Sequence, residues 1–230
     1  MYQVKLIQNN RSNEPLTPRG VVVHDTATPG ATATQEYNYF NNAYRGASAH
    51  AFVDWNGVVQ TVPFTEEAWH AGPTANERFI GIEMCVPSQK DEALFSKVWD
   101  STVSLFADLF RQFNLGDVTG DNLMSHAEVS EKWKETDHTD PVSYFTQYGK
   151  SVNEFRQAVQ AQLSQGGNQE SGSDEMIYNY IDDNMPAWAR PTIQKLVDKG
   201  YLEGNEKGEL NLNDEMLRLL VINDRAGLYQ

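Results

Sequence analysis

Apolar positions in the first two thirds of this chain fall into short β-branched blocks separated by stretches with helical spacing. Val21-Val22-Val23, preceded by Gly20, reads as a short buried strand. Residues 79–86 read as a second, mostly apolar strand with one carboxylate, Glu83, in its middle. Residues 5–8 form a weaker strand candidate. Residues 51–55 and 58–62 flank Asn56-Gly57, the pair that supplies the two positive φ angles of a type I′ hairpin turn. The helical spacing starts at Thr32-Ala33-Thr34-Gln35, a capping box that predicts a helix to about residue 44 with Tyr37, Phe40 and Tyr44 on one face. Residues 91–113 predict a long amphipathic helix through Leu94, Val98, Val103, Leu105, Phe106, Leu109 and Phe113. A short strand ending at His126 and a helix over 152–163 complete this part.

The pattern then breaks. Residues 164–173 contain no apolar side chain and, with the two residues after them, predict a flexible Gly/Ser/Gln linker over 164–175. Helical spacing returns beyond it. Trp188, Ile193, Leu196 and Val197 fit one helix ended by Lys199-Gly200, and Met216, Leu217, Leu219, Leu220 and Val221 fit another. The chain therefore divides into a larger domain, 1–163, and a small, mainly helical module, 176–230.

Composition narrows the classes. A hydrophobic share of 40% with 22% charged residues is that of a globular chain with a substantial core. A formal net charge of −14 is wrong for a nucleic-acid binder, which needs a basic face to displace counterions. The small module is acidic too, so it is no basic anchoring arm. With one cysteine, Cys85, there is no internal disulfide, and no apolar run approaches a membrane span. No signal peptide is read at the N-terminus, so export is expected to depend on something else.

Chemistry concentrates in residues 123–141. Leu123-Met124-Ser125 runs into His126, a polar helix-like stretch follows, and the chain returns through His138-Thr139-Asp140-Pro141. A hydrolytic zinc needs three protein ligands and one open position, and His24, at the carboxyl end of the valine strand, offers the group this excursion lacks. Asp140 before a proline also suits a turn or helix cap. Glu83 is costly in an apolar strand unless paired, Arg78 being one partner, or facing a wet cleft, where partial desolvation would suit it to act as a general base. His138 could steady an oxyanion or be an exposed loop residue. Trp69-His70-Ala71-Gly72 could line a saccharide- or peptide-binding loop or be a packed Trp beside an exposed His.

In order along the chain stand Val21-Val22-Val23-His24, Ser48-Ala49-His50, Asp54-Trp55-Asn56-Gly57, Ala68-Trp69-His70-Ala71-Gly72, Ile80-Gly81-Ile82-Glu83, Ser125-His126 and Thr136-Asp137-His138-Thr139-Asp140-Pro141. Over residues 1–160 this series resembles the zinc N-acetylmuramoyl-L-alanine amidases of the type 2 amidase family, related to peptidoglycan recognition proteins. The resemblance implies a mixed α/β fold with a central mixed sheet flanked by helices, and one Zn²⁺ held in a groove by His24, His126 and Asp140. It implies Glu83 as the catalytic carboxylate and His138 as the group that stabilises the transition state, with Thr26, His50, Trp69 and His70 against substrate. Ala49 stands where some relatives carry a catalytic Tyr, so proton handling rests on Glu83. The implied activity is cleavage between N-acetylmuramic acid and L-alanine in bacterial peptidoglycan. A non-catalytic peptidoglycan binder of the same fold and a zinc peptidase cutting within the stem peptide are the alternatives. The 176–230 module resembles those appended to phage lysins, which implies wall attachment, with oligomerisation as its other use. A lysin of this kind would wait in the host cytoplasm until a separate membrane pore released it.

Overall fold

In the computed structural model of the protein, which describes residues 2–167, 176–225 and 227–229, the β-branched blocks assemble into one six-stranded sheet. In chain order the larger unit contains β1 (Tyr2–Val4), β2 (Gly20–Asp25), α1 (Ala33–Asn42), β3 (Ala51–Asp54), β4 (Gly57–Gln60), α2 (Pro73–Asn76) and β5 (Phe79–Met84). There follow α3 (Glu92–Gln112), β6 (Leu123–Ser125), α4 (His126–Trp133), α5 (Val142–Gln147) and α6 (Val152–Gly167). The sheet order is β1-β4-β3-β5-β2-β6, with only β3 and β4 antiparallel, so the sheet is mixed.

Successive side chains on a strand point to opposite faces, and the two faces here carry different cargo. Val21 and Val23 of β2 and Ile80, Ile82 and Met84 of β5 share one core with Phe95, Val98, Trp99, Phe106 and Phe110 of α3 and Phe155 and Val159 of α6. Val22 and Phe79 turn the other way and pack with Met124, Val129 and Ala71. Burial on both faces explains the unbroken valine run. The second face is only partly covered, and His24 and Glu83 lie on it.

Several sequence expectations shift in detail. The first strand is Tyr2–Val4 rather than 5–8, although Lys5 and Ile7 still donate backbone bonds to Gln60 and Thr61. In the hairpin, Asp54 pairs with Gly57, which leaves Trp55-Asn56 as the turn. The turn moved because the Asp54 carboxylate accepts from the Asn56 and Gly57 amides and fixes it one residue earlier than the Asn-Gly rule predicts. Helix α1 keeps its Thr32–Gln35 capping box but stops at Asn42, and Tyr44 lies beyond it, exposed. His126 is the first residue of α4, capped by Ser125 and Glu128, rather than the last of a strand. Helix α6 continues to Gly167, four residues past the expected 163, because nothing before the glycine pair breaks it. Of the predicted linker, residues 168–175 lie outside the described residues.

The chain divides into two compact units, Met1–Gly167 and Asn168–Gln230. The second has its own core: Ile193 and Leu196 of α7 (Arg190–Asp198), Leu217 and Val221 of α8 (Asp214–Arg225), and Tyr178, Met185, Ala189 and Leu212. Trp188 precedes α7 and is exposed rather than part of the helix. Gly200, at φ +70°, closes α7 where the Lys199-Gly200 pair predicted.

Candidate metal centre

Register gathers the site. Strands β2, β5 and β6 are parallel, so their carboxyl ends open on the same edge, the usual place for a site in such a sheet. His24 pairs with Glu83 across β2 and β5, and Val23 pairs with Ser125, so His126 follows one step on beside His24. Asp140 arrives from a distant loop and is pinned there, its carbonyl accepting from Ala127 in the first turn of α4. The loop before it is tied by Glu135, whose carboxylate accepts from the amide and hydroxyl of Thr74 at 2.8 and 2.7 Å.

These elements bring one ligand atom each from His24, His126 and Asp140 within 4.8 Å of one another. His24 Nδ1 lies 3.0 Å from Asp140 Oδ2, and His126 Nδ1 lies 3.1 Å from Asp140 Oδ1. Ligand atoms around a tetrahedral zinc at ~2.0–2.2 Å are separated by about 3.3 Å, so the spacing suits a small divalent cation. Burial lowers the pKa of His24, against the pull of Asp140, and favours the neutral imidazole a metal requires. Burial alone would raise Asp140, but hydrogen bonds to His126 and His24 outweigh it and hold the carboxyl well below its usual range. Two nitrogens and one carboxylate oxygen are an acceptable donor set for zinc and leave a fourth position open.

Glu83 faces the same cleft. Its Oε2 is buried without a hydrogen-bond partner among the described residues, so the Arg78 ion pair does not form at that oxygen. Burial first, then the charges of Asp140, Asp25 and Glu36, push its pKa well above the ordinary glutamate value. Asp25, beside His24, is pushed up to about 7 by burial and by Asp140. His138 is mostly exposed, stacked on His126 with ring centroids 4.6 Å apart and its Nδ1 3.7 Å from Asp140 Oδ1. The cleft around these groups holds about 680 Å³ and is also lined by Thr26, Thr28, Glu36, Tyr39 and Trp69.

Two of the residues expected against substrate are already engaged within the protein. His50 has no solvent exposure: its Nε2 donates to the Glu66 carbonyl and its Nδ1 accepts from the Gly81 amide. It joins β3 to its surroundings and cannot reach a substrate. His70 borders the cleft, but both its ring nitrogens are engaged, one with His24 and one with the Phe79 carbonyl. Trp69 and Thr26 do line the cleft, although the Thr26 hydroxyl already accepts from the Val86 amide at 3.3 Å. Sequence reasoning passed over Asp25 and Glu36, whose signal was carboxylates next to a ligand and on the buried side of a helix.

A sequence model of the N-acetylmuramoyl-L-alanine amidase family matches residues 14–143, more than half of the chain. The chain belongs to this family. Protein Ami of Listeria monocytogenes is 38% identical over 144 residues, and a bifunctional autolysin of Staphylococcus epidermidis is 32% identical over 143, each match covering 60% of this chain. The matches span only 15% and 11% of those two proteins. Among solved structures, a mutant endolysin from Bacillus subtilis aligns at 26% identity and a TM-score of 0.57, over 69% of this chain and 98% of its own. The Staphylococcus aureus hydrolase AmiA in complex with its ligand shares the fold at 24% identity and a TM-score of 0.64, over 72% of this chain and 85% of its own.

Proposed function

We propose that this protein hydrolyses the amide between N-acetylmuramic acid and L-alanine in bacterial peptidoglycan, as a phage endolysin or a bacterial autolysin. The observation that carries the reading is the convergence of His24, His126 and Asp140 beside Glu83, whose Oε2 is buried with no hydrogen-bond partner among the described residues, in a family member's cleft. His24, His126 and Asp140 would hold one zinc ion. Bound there, zinc supplies a Lewis acid that brings the pKa of water down to about 7 and polarises a carbonyl. Glu83, with its raised pKa, takes a proton at Oε2 from the attacking water and returns it to the departing alanine nitrogen. His138, exposed at the rim, donates to the oxygen on which charge develops. Thr26 and Trp69 orient the chain of the substrate along the cleft.

Support for a wall lysin comes from the names of the relatives, an autolysin and an endolysin, and from the second compact unit, whose proposed role is wall attachment or oligomerisation. Among the described residues no helix is long and apolar enough to cross a membrane. Release through a separate pore is the route proposed for the endolysin case. The test is metal analysis of purified protein together with mass spectrometry of fragments from digested walls. Expected are about one zinc per chain, loss of activity with a chelator, and products in which muramic acid and L-alanine have parted. Cuts confined to the stem peptide would make it a peptidase, and zinc-free lysis would overturn the mechanism.

A further inference from the structure

The hydrogen bonds around His24 form a line with an acceptor at each end, the Asp140 carboxylate and the Phe79 carbonyl. His24 Nε2 lies 3.0 Å from His70 Nδ1, and His70 Nε2 lies 3.0 Å from the Phe79 carbonyl oxygen. A carbonyl can only accept, so the proton of neutral His70 must sit on Nε2. Its Nδ1 then carries a lone pair and can only accept in turn. The proton between the two rings therefore belongs to His24 Nε2, and Nδ1, which donates to Asp140 when no cation is present, is the atom whose lone pair becomes available to a metal once that proton leaves. The direction of the line from His24 Nε2 through His70 follows from one backbone oxygen.

We infer that His70 is a positioning residue: by accepting from His24 Nε2 it fixes His24 in the form whose Nδ1 can bind a metal. The inference rests on the proposed ligand set. It meets a specific opposition, because without a cation the nearby Asp140 carboxylate would draw a proton onto His24 Nδ1 and block that atom. His126 is held differently. Its Nε2 lies 3.1 Å from the Thr136 hydroxyl, itself 2.6 Å from the Ser130 hydroxyl, and hydroxyl protons rotate, so that line has no enforced direction. The fold makes room for His70. A Cβ on Gly81 would stand 2.3 Å from His70 Cγ, so the ring lies directly on the glycine of β5. The neighbouring backbone is held as well, the His70 and Ala71 amides both donating to Asn76 Oδ1 at 2.9 Å.

The test compares zinc affinity, by competition with a chromogenic chelator, in the full-length parent, His70→Leu and His70→Asn. An asparagine Oδ1 falls near the place of imidazole Nδ1 and can accept from His24, whereas leucine cannot. Removing such an outer partner typically weakens metal binding about 10- to 100-fold. Leucine is expected to show that loss and asparagine to recover most of it. Equal affinity in the parent and the leucine variant would overturn the inference, as would equal losses in both variants. Long-range ¹H–¹⁵N spectra of the imidazoles in metal-free parent give an answer even if a variant fails to fold. Protonation of His24 at Nε2 and of His70 at Nε2 is expected, and a His70 protonated only at Nδ1 would refute the line. A parent that binds no zinc at all would instead defeat the ligand set itself.

Discussion

Glu83 shows how function and stability separate at a single residue. Its Oε2 is buried with no hydrogen-bond partner among the described residues and its pKa is raised, so the ionised form opposes folding while suiting the group to the proton transfer proposed for it. A group whose pKa is raised on folding contributes most below its unfolded value, and that contribution is lost as pH rises through the folded value. In chelator-treated protein Glu83→Gln is therefore expected to melt above the parent at neutral pH, the difference shrinking as pH falls towards ~4.5. In the zinc-loaded protein the same change should cut turnover by about 10²- to 10⁴-fold while leaving zinc bound. Melting curves across pH and wall-lysis rates check both halves. Lysis at the parental rate would remove Glu83 from the mechanism. The residue was conspicuous in the sequence, because a lone carboxylate in an apolar strand demands a reason. His70 was visible too, but its use was not: a histidine beside a tryptophan reads as a surface lining, and only the folded arrangement reveals that both its nitrogens are taken.

At the scale of elements, what the sequence made legible were periodic patterns, and what it concealed were pairings. The valine strand, the Thr32 capping box and the long amphipathic helix all stand because local spacing decides them. The hairpin turn slipped by one residue because a side chain, Asp54, reaches the turn amides, an interaction that turn statistics do not contain. The short helices α2 and α5 were missed, being too brief to show a period. Register was equally hidden, yet it is what puts Glu83 opposite His24 and Gly81 opposite Val22. Gly81 can therefore be tested as an element of packing. An added methyl would meet His70 at 2.3 Å, and overfilling a packed interior costs about 1–3 kcal/mol. Gly81→Ala is expected to lower the melting temperature and weaken zinc binding together, since the ring it displaces orients a ligand. Thermal unfolding and metal analysis report the two effects, and a variant with parental stability and metal content would show that the ring has another place to go.

For the whole molecule the question is what the second unit adds to a first unit that has its own core and holds all the proposed site residues. A chain ending at Gly167 keeps every side chain assigned to chemistry, so cleavage of a soluble muropeptide is expected to match the full-length rate. Intact walls should discriminate. If the 176–230 module attaches the enzyme to its polymer, the truncated chain should pellet poorly with walls and lyse them more slowly. A changed sedimentation coefficient with normal pelleting would assign the module to oligomerisation instead. Charge sharpens the experiment. With a formal net charge of −14 the protein as a whole is repelled by an anionic surface, so any wall attachment is expected to rest on shape and hydrogen bonding. Raising ionic strength from ~0.01 M to ~0.15 M shortens the Debye length from about 30 to about 8 Å and screens repulsion between acidic protein and wall. Pelleting of the full-length chain is thus expected to hold or improve as salt is added. A steep loss would mean that a basic patch, rather than uncharged contacts, carries the binding.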